Sequence, residues 1–162
     1  FASVKWPGRA EVVRQQPWVV LDGAHNPQAA QTLRDTLEEI WPGIRKHLLV
    51  GMSHDKPIRD VGEILAPMAA SITCTGSRHQ RACDAQRLAA EFAPSCRTTV
   101  IPEASDAMTY LLNTVSPEEV VVVTGSLFLV GEMRMALEQA RHQLAPARQP
   151  EAQPSEEAPC PS

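Results

Sequence analysis

Trp18-Val19-Val20-Leu21-Asp22-Gly23-Ala24-His25-Asn26-Pro27 reads as a buried strand that ends on a polar turn and runs into a helix. Four large apolar residues in a row, with no polar alternation, suit a strand covered on both faces. Gly23 lets the backbone turn tightly. Asn26 is a plausible helix cap, and Pro27 fits the first helical position, where its missing N–H costs nothing. Leu33, Leu37, Ile40 and Trp41 then recur at helical spacing, so the pattern predicts a helix over 27–41.

The same unit repeats along the chain. His47–Val50, Ser71–Cys74, Thr98–Ile101 and Val120–Val123 are further short apolar runs. Helical patterns lie between and after them, over Ile58–Met68, Ala82–Phe92, Ser105–Thr114 and Leu127–Leu144. Strands alternating with helices predict an α/β fold, Rossmann-like, with a mostly parallel sheet and helices on both faces. Glu11-Val12-Val13 adds a short edge strand, so residues 1–16 read as a linker and edge strand from a preceding domain. Residues 17–144 then form the domain proper. The stretch 145–162, with five prolines (Pro146, Pro150, Pro154, Pro159 and Pro161) and almost no large apolar residue, cannot bury enough surface to offset its ordering entropy, and is expected to be a disordered tail.

Bulk properties exclude several classes. A chain of 162 residues suits one domain and buries a real core. A net charge of −4 is mild and gives no basic footprint for nucleic acid. No apolar run approaches the ~20 residues needed to span a membrane, and no basic-then-apolar leader is visible. Cys74, Cys83, Cys96 and Cys160 form no CxxC pair and have no His at metal-ligand spacing. Reduced thiols in a cytoplasmic protein are the expectation. The chain opens on Phe1 rather than Met, which suggests a fragment.

Ligands of open parallel sheets bind beyond the carboxyl ends of the strands. Each predicted strand is followed there by polar residues: Asp22–Pro27, Gly51-Met52-Ser53-His54-Asp55-Lys56, Thr75-Gly76-Ser77-Arg78 and Thr124-Gly125-Ser126. By local pattern Asp22 is either a strand-end carboxylate bonded to the next turn or a holder of two ribose hydroxyls. His25 is a loop histidine or a group that meets a phosphate, a carboxylate or a proton. Ser126 is a plain cap or part of an anion-binding helix start. Asp55 and Lys56 enter a helix, and Arg81 lies within reach of the rim. No G-x-x-x-x-G-K-[ST] loop is present, and no G-x-G-x-x-G follows the first strand.

Pro7-Gly8-Arg9, LDGAHNP at 21–27, GMSHDK at 51–56, Arg81-Ala82 and VTGSLFLVGEMR at 123–134, in that order, resemble the carboxyl-terminal domain of the folylpolyglutamate synthase/dihydrofolate synthase family, within the Mur ligase superfamily. The resemblance covers roughly residues 4–140 and implies an ATP-dependent ligase. Its amino-terminal ATPase domain carries the P-loop. ATP activates a carboxylate of a folate or of dihydropteroate as an acyl phosphate, and the amine of L-glutamate displaces phosphate. On the matching positions, Arg9 corresponds to an arginine on the ATP phosphates and Asp22 to the ribose aspartate. His25, as a catalytic residue, and Ser126 correspond to positions near the incoming glutamate or the terminal phosphate. Asp55, Lys56 and Arg81 are rim candidates. ATP and Mg2+ are the implied cofactors, with metal ligands expected in the ATPase domain and none here. The implied protein is a cytoplasmic monomer. Another Mur-type amide ligase and a non-catalytic Rossmann-like binding module stand as alternatives.

Overall fold

The computed structural model describes residues 10–94 and 96–144. Pro7-Gly8-Arg9 and the tail 145–162 lie outside the described residues. The elements in chain order are β1 (Glu11–Arg14), β2 (Trp18–Leu21), α1 (Pro27–Ile40), β3 (Lys46–Val50), α2 (Ile58–Leu65), β4 (Ala69–Gly76), α3 (Ala85–Phe92), β5 (Thr98–Glu103), α4 (Ala104–Thr114), β6 (Val120–Thr124) and α5 (Leu127–Leu144). They build one six-stranded sheet in the order β1-β2-β6-β3-β4-β5. β1 runs antiparallel to β2, and every other pairing is parallel.

The period-2 geometry of a strand divides its unbroken apolar runs between two cores. Val20, Leu48, Val50, Val120 and Val122 pack with Leu33, Leu37, Val61, Leu65, Leu88 and Phe92, so α1, α2 and α3 cover one face. Val19, Leu21, Leu49, Val121 and Val123 pack with Met108, Leu111, Leu129 and Met133, so α4 and α5 cover the other. Right-handed crossovers explain the division. The steps from β2 to β3, β4 and β5 all run one way along the sheet, with helices on one face. The step from β5 back to β6 reverses direction, so α4 must cross on the opposite face. The loop after β2 therefore leaves toward one face and the loop after β6 toward the other, which opens a crevice between them.

Local signals set most element ends. Asn26 accepts a hydrogen bond from the Ala29 amide at 2.9 Å, and Pro27 occupies the first turn of α1. The helix expected over 58–68 closes at Leu65 and gives way to a 3-10 turn, Ala66–Met68, around Pro67. The helix expected from Ala82 starts instead at Ala85. Asp84 is its cap, accepting from the amides of Gln86 and Arg87 at 3.0 and 3.1 Å. The backbone of Ala82 and Cys83 is used elsewhere: Ala82 bridges Ser53, and the Cys83 amide donates to the Met52 carbonyl at 2.8 Å. One glycine is demanded by packing. A Cβ on Gly62 would lie 1.8 Å from the Phe92 carbonyl oxygen, so α2 meets α3 at backbone distance.

The end of the sheet opposite the crevice is closed by polar side chains that satisfy one another. Lys46 is buried, and its ammonium donates to the Trp41 and Ile44 carbonyls at 2.9 and 3.0 Å, capping the exit of α1. His47 lies between the Ser71 hydroxyl at 2.8 Å and the Glu119 carboxylate at 3.0 Å. Desolvation pushes the Glu119 pKa up, but His47, the Ser116 amide and Arg45 outweigh it and hold the carboxyl below its usual range. Cys74 is a core thiol whose pKa burial, aided by Cys83, pushes up to about 12. Among the described residues no helix is long and apolar enough to cross a membrane.

Candidate functional site

Three loops meet at the crevice because two glycines let them. A Cβ on Gly23 would lie 2.3 Å from the Leu127 side chain. Gly125 has φ +99°, which an L side chain rarely adopts, and a Cβ there would lie 2.8 Å from the Gly51 carbonyl. The loops are also bonded together. The Gly51 amide donates to the Thr124 carbonyl at 3.2 Å, and the Thr124 hydroxyl donates to the Ala24 carbonyl at 3.4 Å.

Asp22 is buried behind this junction. Its Oδ1 accepts from the Ala24 amide and its Oδ2 from the Ala10 amide, each at 2.8 Å. The turn reading is therefore realised at Ala24, and a second amide arrives from Ala10, just ahead of β1. In front of Asp22, His25 Nδ1 lies 2.7 Å from the Gly23 carbonyl oxygen. A carbonyl can only accept, so Nδ1 carries the proton, and in the neutral ring Nε2 holds a lone pair. Ser126 does cap α5, its hydroxyl oxygen accepting from the Phe128 amide at 3.1 Å. That bond leaves the serine O–H as a donor.

The loop 51–56 is laced to the loop before α3. Beside the Ser53–Ala82 bridge, the His54 amide donates to the Arg81 carbonyl at 3.0 Å. This lacing carries Arg81 to the rim. His25, Ser53, Lys56, Arg81, Gly125, Ser126, Leu127 and Phe128 then line one cavity of about 140 Å³. Four of the residues expected at the rim, His25, Ser126, Lys56 and Arg81, are thus brought together. Asp55 does not line the cavity. Its carboxylate stands 4.0 Å from the Arg81 guanidinium, an exposed pair of small energetic weight that can orient the arginine. Arg9 falls outside the described residues.

The cavity is lined by two cationic side chains, two serines and an imidazole, a set suited to a small anion that also offers a proton. Its remaining wall is apolar. Phe128 stacks on His79, ring centroids 3.7 Å apart and 15° from parallel. Leu127 and Phe128 are 60% and 46% exposed at the mouth. The sequence places Ser53 on the rim without a role of its own, and His79 and this apolar wall do not stand out in it. The signal available was that α5 opens on Leu127-Phe128 with no inward partner required of both. Between α4 and α5 lies a wider groove of about 290 Å³, walled by Met133, Met135 and Glu132 among others, with none of the expected site residues. Among the described residues no group of three or more His, Cys, Asp or Glu could hold a metal ion.

Known proteins share the sequence and fold of this chain. The family described as Mur ligase, glutamate ligase domain, matches residues 8–127. A probable bifunctional folylpolyglutamate synthase/dihydropteroate synthase of Haloferax volcanii is 34% identical over 136 residues, covering 82% of this chain and 16% of that protein. A dihydrofolate synthase/folylpolyglutamate synthase of Bacillus subtilis is 28% identical over 139 residues, covering 85% of this chain and 32% of the relative. Among solved structures, Escherichia coli FolC in complex with DHPP and ADP superposes with a TM-score of 0.78 at 25% identity, over 86% of this chain and 33% of that one. The chain therefore spans about a third or less of the length of these relatives.

Proposed function

Because the chain belongs to the Mur ligase family as its glutamate ligase domain, we propose that it is the part of an ATP-dependent ligase that receives L-glutamate and joins it to a folate or to dihydropteroate. The observation that carries this reading is the convergence of His25, Lys56, Arg81 and Ser126 on one cavity at the switch of the sheet. Lys56 and Arg81 offer charge to the carboxylates of glutamate, and the Ser126 hydroxyl offers a donor. The α-amine of glutamate must lose a proton before it attacks an acyl phosphate, and His25 Nε2 is the acceptor at hand. ATP supplies the phosphoryl group, and the domain that carries the P-loop is a partner outside this chain. Arg9 on the phosphates and Asp22 on the ribose complete the proposed nucleotide contacts.

The test uses the longer protein that contains this chain. ADP release over many turnovers should require L-glutamate together with monoglutamyl tetrahydrofolate or dihydropteroate. Release that ignores both acceptors would sink the ligase reading. The 162-residue chain by itself should neither hydrolyse ATP nor ligate glutamate.

Asp22 gives a sharper expectation. Asp22→Asn should raise KM for ATP by roughly 10–100-fold, the equivalent of one charged hydrogen bond of about 1.5–3 kcal/mol. KM for glutamate should change far less. Steady-state titration of each substrate decides it, and an unchanged ATP KM removes Asp22 from the nucleotide site. Asparagine is chosen over alanine because it still accepts from one of the two amides.

A further inference from the structure

Arg81 reaches the cavity from a loop, and its placement depends on a residue that does not itself line the cavity. His79 stands two positions earlier, between β4 and α3. The Arg81 amide donates to His79 Nδ1 at 3.2 Å. An amide can only donate, so Nδ1 holds a lone pair there, and the neutral ring carries its proton on Nε2. A side-chain acceptor bonded to the amide two residues on is the arrangement of an Asx turn, with imidazole in the place of a carboxamide. The His79 carbonyl closes the same turn, accepting from the Ala82 amide at 2.9 Å, and the Arg81 carbonyl accepts from the His54 amide at 3.0 Å. Both backbone polar groups of Arg81 are therefore committed.

His79 also joins this turn to α5. Its ring stacks on Phe128, centroids 3.7 Å apart. One residue earlier, the Arg78 amide donates to Glu132 Oε1 at 2.7 Å. Phe128 and Glu132 lie four apart on α5 and so share one of its faces. One face of one helix thus holds two consecutive residues of the loop, and the stack fixes the plane of the imidazole whose lone pair meets the Arg81 amide.

We propose that His79 is a positioning residue for the incoming glutamate: anchored on Phe128 and bonded to the Arg81 amide, it sets the turn that presents the Arg81 guanidinium to the cavity. The inference rests on the reading of that cavity as the glutamate site. The Arg81–Asp55 pair can turn the guanidinium, but the point from which the side chain starts is set by the backbone that His79 holds. His79 touches no reacting group in this scheme and acts through Arg81.

The experiment is a double-mutant cycle in the longer protein that contains this chain: parent, His79→Ala, Arg81→Ala and the double variant, with His79→Asn beside them. Asparagine lacks the ring but offers an acceptor to the amide two residues on. The readouts are KM for glutamate, KM for ATP and hydrogen exchange at the Arg81 amide. His79→Ala should raise the glutamate KM about tenfold, the scale of one lost hydrogen bond, with the ATP KM at the parent value. In the Arg81→Ala background the same change should add less than about twofold, because nothing is left for His79 to place. His79→Asn should return the glutamate KM to within about threefold of the parent. Exchange at the Arg81 amide should be about tenfold faster in His79→Ala and near the parent rate in His79→Asn. A glutamate KM unchanged in His79→Ala, an equal rise in the ATP KM, single effects that multiply in the double variant, or no recovery with asparagine overturns the positioning role. If Arg81→Ala leaves the glutamate KM unchanged, the reading of the cavity has failed and the substrate role falls with it. Exchange then judges the turn alone, and an unchanged rate in His79→Ala overturns that as well.

Discussion

Replacing His25 with alanine should lower kcat for glutamate ligation by about 10²–10⁴, the usual contribution of a positioned general base, while leaving KM for ATP nearly unchanged. The magnitude follows from how tightly the ring is set. Its Nδ1–H is committed to the Gly23 carbonyl at 2.7 Å, which fixes both the tautomer and the plane of the imidazole. In the neutral ring Nε2 is then a fixed lone pair in a cavity whose other polar side chains, Ser53, Lys56, Arg81 and Ser126, can donate. Only His25 among them is suited to take a proton from an ammonium group. The step before, phosphorylation of the acceptor carboxylate, needs no proton from glutamate. A single-turnover experiment without glutamate should therefore show the same ADP burst in the variant as in the parent. Loss of the burst together with turnover would mean that His25 serves the phosphate instead, and a normal kcat would remove it from the chemistry.

The largest expected effect on stability is at Gly62. Alanine in a helix is better than glycine by about 1 kcal/mol, and at an open position that gain would stand. Here a Cβ would lie 1.8 Å from the Phe92 carbonyl oxygen and 2.7 Å from its carbon. Both are backbone atoms and cannot rotate aside, so the helices must part. Overpacking of this kind typically costs about 1–3 kcal/mol or more. With backbone on both sides the upper end applies, and the clash outweighs the propensity. Gly62→Ala should lose about 2 kcal/mol net, roughly 4–8 °C in Tm for a domain of this size. A melting curve that moves upward would show that α2 and α3 can separate freely. The site should feel the change, because α2 begins two residues after Lys56 and α3 four residues after Arg81. KM for glutamate should therefore rise in the variant even at temperatures where it remains folded.

Much of the fold is legible in the chain because its signals are local. The unbroken valines of β6 and the Asn26-Pro27 start of α1 each declare themselves within a few residues. The start of α3 is displaced for a tertiary reason: Ala82 and Cys83 are drawn off to bond with Ser53 and Met52. The site divides the same way. Asp22, His25 and Ser126 stand out because each follows a strand. That Asp22 also grips Ala10, or that Arg81 shares a cavity with Lys56, depends on loops meeting across the rim, and no spacing in the chain encodes it. The His79–Phe128 stack, between residues far apart in sequence, is invisible there for the same reason.

The reversal that inserts β6 between β2 and β3 has a consequence for the order of assembly. Read from the amino terminus, the chain can pair β1 with β2, and separately β3 with β4 and β5, but these two groups share no ladder until β6 arrives. The central strand is also the last of the six to leave the ribosome. Its pairing with β2 spans about a hundred residues, Trp18 with Val120, and long-range parallel pairing of this kind is slow to form. The junction of Thr124 with Ala24 and Gly51 is made by the same strand at the same moment. A nascent chain therefore cannot offer a half-built rim to nucleotide or glutamate: closing the sheet and creating the binding edge are a single late event.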